Sequence, residues 1–381
     1  MTMIIKTYRT CLFLSMLLSV TFKSYASPIP LLELITTPVG AVKSSSEIKM
    51  PMLTWGGDAV TIYANGNSTA TQPDSLFAKA GLNIKLARQD NFQQQLQEYI
   101  SGETPFLRCT VGMCNQAIEL LSQDPRTKPV IIYQLTWSKG SDGLVAKKGL
   151  MNVKYLKGKT ISLQAYGPHV DFLTTILDDK NISLNDVTLD WQPDLTLSEA
   201  SPPAAFLNPN IDAAFMILPD ALTLTSNRRI GTGKRGSVRG ARLITSTMFA
   251  KRIIADVYVV RSDFLHGNRE KVSKIVSVLM KGQQQVSKLM KDLNATNRPE
   301  FLTSSAEILL DDKQAIGDLE ELILDTELVD SHANRDFLQN SDFKYNHEVL
   351  SKRLQASFND LELIEGEYPF LAAQWEESEL Y

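Results

Sequence analysis

Between Ile161 and Leu177 the chain changes its hydrophobic period. Ile161 and Leu163 alternate with polar neighbours, the two-residue period of a short strand. Val170, Leu173, Ile176 and Leu177 then recur at helical spacing. Between the two, Gly167 admits a φ that other residues resist, and Pro168 suits the first position of a helix. The pattern predicts a strand, a sharp turn and a helix in immediate succession. The first N–H groups of such a helix lack internal partners and face whatever lies beyond the strand end. That arrangement suits a small anionic or polar ligand, and an ordinary strand-to-helix loop has the same pattern.

The alternation recurs along the chain. Leu53-Thr-Trp-Gly-Gly-Asp58 reads as a strand running into a glycine-rich turn, and residues 83–87 as another strand. Asp90 or Asn91 can cap a helix whose face carries Phe92, Leu96 and Ile100, with Gly102 ending it. A strand over 106–110, a helix over 115–121 and a strand over 130–135 follow. The pattern restarts at 143–147 and continues with strands at 187–191, 213–217, 242–247 and 255–260. Val272, Ile275, Val276, Leu279 and Val286 mark one long helix. Residues 303–381 are mostly helical, with Leu350, Leu354 and Phe358 on one stripe. The fold class is therefore α/β: two lobes, each a mainly parallel sheet with helices on both faces, plus extra C-terminal helices.

A chain of 381 residues is too long for one core of usual size, which agrees with two lobes. The formal net charge of −4 argues against nucleic acid as the main partner. Lys6 and Arg9, a short apolar run from Cys11 to Phe22, and small residues at Ser24 and Ala26 form a secretory signal peptide, with cleavage expected after Ala26. No later segment has the length of a membrane helix. Residues 27–48, with Pro28, Pro30 and Pro38, read as a leader segment. Export permits a bridge between Cys109 and Cys114. Their spacing across a strand-to-helix junction is no metal or redox signature, and two unbridged thiols are expected. The four histidines lie at no metal-ligand spacing, so neither metal nor cofactor is expected. Eight basic residues from Arg228 to Arg252 read as a solvated face, or as a docking surface for an acidic partner.

Ligands of open α/β sheets bind beyond the carboxyl ends of the strands. Four such places carry suggestive residues. Trp55, Gly56, Gly57 and Asp58 offer a ring, a close backbone and an acceptor; a tight turn with a core tryptophan would look the same. Thr110, Gly112 and Met113 open a helix, and simple capping by Thr110 is the plainer account. Trp137, Ser138, Ser141 and Asp142 offer a ring, hydroxyls and charge, or else form a polar loop. Tyr166, Gly167, Pro168, His169 and Val170 are the turn described first. Helix ends at Gly112 and His169 favour an anion. Asp58 and Asp142 oppose one if both face the cleft unpaired.

The order of these segments, together with Leu156-Lys-Gly-Lys-Thr-Ile161, Asp212-Ala-Ala-Phe215 and Ile254-Ala-Asp-Val-Tyr-Val-Val-Arg261, resembles the type II periplasmic solute-binding proteins of ABC importers, in the branch for nitrate, sulfonate, taurine and thiamine precursors. The resemblance spans about Leu53 to Lys291. It implies two lobes joined by crossover strands at about 142–147 and 255–261. The first lobe would comprise 49–143 and 256–302, the second 144–255, with 303–381 packing on the first. It also implies ligand contacts from the four strand ends and from Asp212 and Met216. The implied protein is a periplasmic monomer that makes and breaks no bond. It captures a small polar ligand, anionic or zwitterionic, and delivers it to an ABC permease in the inner membrane. Two alternatives remain open: a ligand sensor or envelope module outside transport, suggested by the C-terminal helices, and a thiamine-pyrimidine-synthase-like enzyme. The enzyme would need a Cys/His cluster that the chain does not show.

Overall fold

Alternating apolar positions become twelve strands in the computed structural model, which describes residues 27–380 apart from 197, 228, 229 and 235. The expected signal peptide lies outside the described residues, as do Arg228, Arg229 and Arg235 of the basic run. β1 (Ile48–Met52) and β2 (Ile84–Arg88) form a parallel pair. β3 (Phe106–Thr110), β4 (Pro129–Ser138) and β10 (Ala255–Arg261) make the first main sheet. β11 (Thr326–Leu328) and β12 (Leu371–Ala372) join it, and the order is β11-β4-β10-β3 with β12 also on β4. β5 (Asp142–Ala146), β6 (Thr160–Gln164), β7 (Thr188–Gln192), β8 (Ala213–Ile217) and β9 (Arg242–Ser246) make the second, in the order β7-β6-β8-β5-β9.

Both sheets are mixed rather than mainly parallel. β10 runs antiparallel to β3 and β4, and β5 antiparallel to β8 and β9. The reason lies in the connections. β5 and β10 enter their sheets directly from the other sheet, and a strand that arrives without a helical crossover is free to run antiparallel.

Local signals place many of the element ends. The Asn91 side chain accepts the Gln94 N–H at 3.0 Å and starts the helix Phe92–Ser101; Gly102, at φ 78°, ends it. Asp90 instead receives both the N–H and the hydroxyl of Thr54. Val272, Ile275, Val276, Leu279 and Val286 are all fully buried along the helix Ser262–Lys291, which packs on the helix Ala59–Ala64. The glycine turn differs from expectation, because the strand stops at Met52 and residues 53–58 are loop and 3-10 turn. The leader is also ordered. Leu31 and Ile35 are buried, and Gly40 and Lys43 donate backbone bonds to Ile100 and Gly102.

The C-terminal residues complete the first sheet. β11 pairs with β4 from Thr136 to Ser138, and β12 pairs with it at Val130 and Ile131. In the gap between them the Asn334 amide stands in for a strand residue. Its Oδ1 accepts the Gln134 N–H and its Nδ2 donates to the Gln134 carbonyl, both at 2.8 Å. The Val329 N–H reaches the Leu135 carbonyl, and the Trp375 indole N–H reaches that of Ile132. An edge that would otherwise invite another chain is covered along its length.

Candidate functional site

Gly57 lets the turn after β1 press against the sheet: a Cβ there would lie 2.7 Å from the Thr136 methyl. Trp55, half-buried, donates its indole N–H to the Thr136 hydroxyl at 3.0 Å, and that hydroxyl donates to Asp256 at 2.9 Å. Gly56 abuts the backbone of Leu322 and Ile323. Asp58 is fully buried and takes Nε and Nη2 of Arg108 at 3.1 and 2.8 Å, while Nη1 reaches Asp256 at 2.8 Å. One guanidinium therefore serves two carboxylates. Burial pushes the Asp58 carboxyl up to about 6, with Arg108 opposing and the Asp256 charge adding to the rise. Burial also raises Asp256, again against Arg108.

The next strand end follows β3. Thr110 caps the helix Val111–Gln116 by accepting the Met113 N–H at 3.0 Å, as the plainer account holds. Cys109 and Cys114 are joined in a disulfide, their Cα atoms 6.0 Å apart. The expectation of two free thiols is thus corrected: the turn from strand to helix brings the two within bridging distance. Gly112 and Gln116 lie one helical turn apart and face the second sheet. A Cβ on Gly112 would sit 2.7 Å from the Asp171 carboxyl, and the Gln116 amide N–H lies 3.5 Å from the Gly167 carbonyl.

The third and fourth places meet at the crossovers. Trp137 is buried against Phe337 and Tyr345, ring centroids 5.7 and 6.3 Å away. Ser138 donates to Asp142 at 2.6 Å, and the other oxygen of Asp142 is 2.8 Å from His169 Nε2. His169 is fully buried and stacks on Phe215. Thr247, on the return crossover, receives the Gly140 N–H, contacts the Ser138 hydroxyl and gives its own N–H to the Asp142 carbonyl. Ser141 donates to the Asp325 carbonyl at 2.9 Å. These groups lace the two crossovers together.

The turn that opens the second lobe's helix departs from expectation in one detail. The positive φ, 57°, falls on Tyr166. Gly167 is required by its crowding against the Gln164 side chain. The Tyr166 hydroxyl donates to the Ile29 carbonyl at 2.5 Å, which ties the leader to the second sheet. Pro168 precedes the helix His169–Asp178, and Val170 points into the core. Met216 belongs to a separate core with Phe206, Ile211 and Leu224. Asp212 precedes β8, at the end of the sheet opposite Gln164 and Ile217, where it accepts the Thr160 N–H at 3.0 Å. A side chain there is a sheet's length away from the other candidates.

The geometry answers one question and raises another. Asp58 and Asp142 are not free carboxylates, since Arg108 holds the first and Ser138 and His169 the second. Asp171, which the hydrophobic pattern concealed inside a helix start, is the exception. It is fully buried, and among the described residues no side chain is hydrogen-bonded to either oxygen. Burial holds its carboxyl well above the usual range, opposed by the backbone N–H groups of Asp171 and Phe172 at the helix start and by the Arg353 charge, with Asp142 adding to the rise. A signal for Arg108 and Asp256 did exist: charges inside otherwise apolar strands are rarely buried unless paired. A groove of about 510 Å³, lined by Thr37, Gln94, Glu98 and Glu103 among others, lies along the helix Phe92–Ser101. Among the described residues no group of three or more His, Cys, Asp or Glu could hold a metal, and no helix is long and apolar enough to cross a membrane.

Several solved structures share this architecture. The periplasmic aliphatic sulphonate binding protein SsuA of Escherichia coli superposes with a TM-score of 0.58 at 12% identity, over 88% of this chain and 96% of its own. The ligand binding component of an ABC-type import system from Staphylococcus aureus, with zinc bound, gives 0.56 at 13% identity over 88% and 98%. A Candida albicans protein with the generic periplasmic binding protein fold gives 0.52 at 9% identity over 84% and 92%. At such identities the likeness establishes the fold. No curated protein sequence matches the chain. The profile of the family described as NMT1/THI5 like, however, matches residues 70–288, more than half of the chain, and the protein therefore belongs to the NMT1/THI5-like family.

Proposed function

We propose that this protein is an exported receptor that holds a small polar ligand between its two sheets and delivers it to an ABC permease, without chemistry of its own. The observation that carries this reading is the meeting of Gly112 and Gln116 with Gly167 and Asp171, where a strand end and a helix start from each sheet face one another. Sites between lobes are usually built this way. The disulfide supports an oxidising compartment and so the periplasm. In this reading Trp55, Gly112, Tyr166 and Gly167 border the ligand, whereas Trp137, Ser138 and Asp142 serve the crossovers.

The test is thermal unfolding of residues 27–381 with nitrate, alkanesulfonates, taurine, phosphonates and pyrimidines. A ligand that binds only the folded protein at 100 times its Kd stabilises it by roughly 2.7 kcal/mol. At least one class should raise the melting temperature and contract the protein in X-ray scattering. Turnover of any of them, or no shift from the whole panel, would sink the receptor reading. One observation favours a second reading, a sensor that does not cycle through a permease. The Asp325 carbonyl takes bonds from both Lys139 and Ser141 on the first crossover, so the C-terminal segment is tied to the hinge. Ligand binding without any contraction would favour that reading.

A further inference from the structure

The strands of the second sheet run between two ends of different chemistry. One end, at Asp142, Gln164, Ile217 and Ser246, joins the crossovers. The other holds the turn after β5, the entry to β6 and the start of β9. Two stretches without an acidic residue, 143–170 and 221–255, contribute to that second end. The register pairs Ala146 with Arg242, and the Lys148 side chain lies against Gly240, where a Cβ would be 2.8 Å from it. Gly233 abuts Arg239 in turn, which places Lys234 beside it. Lys148, Lys154, Lys234 and Arg239 are exposed and in no ion pair among the described residues. The acids of this end are engaged or set apart. Lys157 holds Asp186 and Lys159 holds Asp212, whereas Asp178 and Asp179 close a helix that packs on β6, two strands from β5.

Apolar side chains stand among these charges. The turn after β5 buries Leu150, Val153 and Leu156 and leaves Met151 and Tyr155 outside, each more than half exposed. The Arg242 guanidinium meets the Met151 sulfur at 2.8 Å. Lys147 donates to the Asn208 carbonyl, which brings the exposed Leu207 to the same end. A small anion needs a concave site with convergent donors, whereas these cations are spread over an open surface. Lysine is depleted at protein interfaces. Lysines around a few exposed apolar side chains are the pattern of a surface that sits among anionic headgroups.

We propose that this end of the second sheet is a peripheral membrane surface, its lysines and arginines on anionic lipid headgroups and Met151, Tyr155 and Leu207 entering the interface. The surface is independent of whatever the protein holds between its sheets. β5 is 5 residues long, about 17 Å, which is twice the roughly 8 Å over which charge is felt at physiological salt. Lipid charge at one end therefore does not bias ligand charge at the other.

Vesicle sedimentation tests this on residues 27–381. The protein should bind vesicles of equal parts phosphatidylglycerol and phosphatidylcholine, should not bind phosphatidylcholine alone, and should be released by high salt. Near an anionic surface each basic side chain changes affinity about fivefold, so Lys148→Glu with Arg239→Glu should weaken binding at least about 25-fold. Lys271→Glu with Lys281→Glu makes an equal charge change at exposed positions of the helix Ser262–Lys291 and should leave binding unchanged. Met151→Ser with Tyr155→Ser should weaken vesicle binding and leave binding of soluble polyglutamate as it was. No binding to the mixed vesicles, equal binding to phosphatidylcholine alone, or an equal loss from the two charge-reversed pairs would overturn the proposal. So would vesicle binding that the Met151 and Tyr155 substitutions do not change, with polyglutamate bound as tightly, because the surface would then belong to an acidic protein. Any of these results leaves the receptor reading standing.

Discussion

Arg108→Met tests how the glycine turn is held. The substitution keeps a long apolar side chain and removes the single cation between Asp58 and Asp256. Asp58 loses the donors at 3.1 and 2.8 Å, whereas Asp256 loses one at 2.8 Å and keeps the Thr136 hydroxyl. Breaking a fully buried ion pair from one side costs roughly 3–5 kcal/mol, because the partner is left charged and desolvated. At the usual entropy of unfolding per residue that is a fall in Tm of about 4–6 °C for a chain of 381 residues. The loss should depend on pH in a defined direction. A buried carboxyl that keeps its proton in the fold but gives it up on unfolding lowers stability as pH rises above about 4. The variant's deficit should therefore be small near pH 4 and grow to full size by pH 8. Urea titrations of both proteins at pH 4.5, 6 and 8 measure it. A deficit below about 1 kcal/mol at pH 8, or one as large at pH 4.5, would refute the assignment of the cost to unpaired charge.

Asp58→Asn should flatten the wild-type fall in stability between about pH 4 and 6, because Asp58 has its pKa raised to about 6 in the fold; melting curves across that range check it. Reduction, or Cys109→Ser with Cys114→Ser, should cost about 2 kcal/mol, the loop entropy of so short a bridge, measured by urea unfolding with and without reductant. Asn334→Ala leaves the N–H and carbonyl of Gln134 without partners and should cost about 2–4 kcal/mol, with faster amide exchange at Gln134 than at Tyr133 as the local readout.

What the sequence displayed was set by near neighbours. β8 begins and ends where alternation places it, and the helix from Phe92 starts and stops on its own cap and glycine. The burial of Leu350, Leu354 and Phe358 likewise follows from their spacing. What stayed hidden depends on residues far along the chain. Trp137 looked available as a stacking ring because the residues that cover it, Phe337 and Tyr345, come some 200 positions later. Asp142 looked free because its partner His169 lies across the turn of another element. Asp212 was drawn into the site by its motif, but the direction of β8 puts it at the wrong end. The disulfide was hidden for a different reason, since a residue count does not reveal how sharply the chain turns after Thr110.

The covering of β4 also bears on when the protein can finish folding. The strand is in place by Ser138, but its outer edge is satisfied by residues far along the chain: β11, Val329, Asn334, β12, Ala373 and Trp375. A chain emerging N-terminus first carries that open edge from Ser138 until β11 and β12 have been made. The first sheet cannot be completed until residues 326–375 are available. Such a chain stays incompletely closed while it is being made or threaded through a pore, and the sheet reaches its final form only once residues 371–375 have arrived.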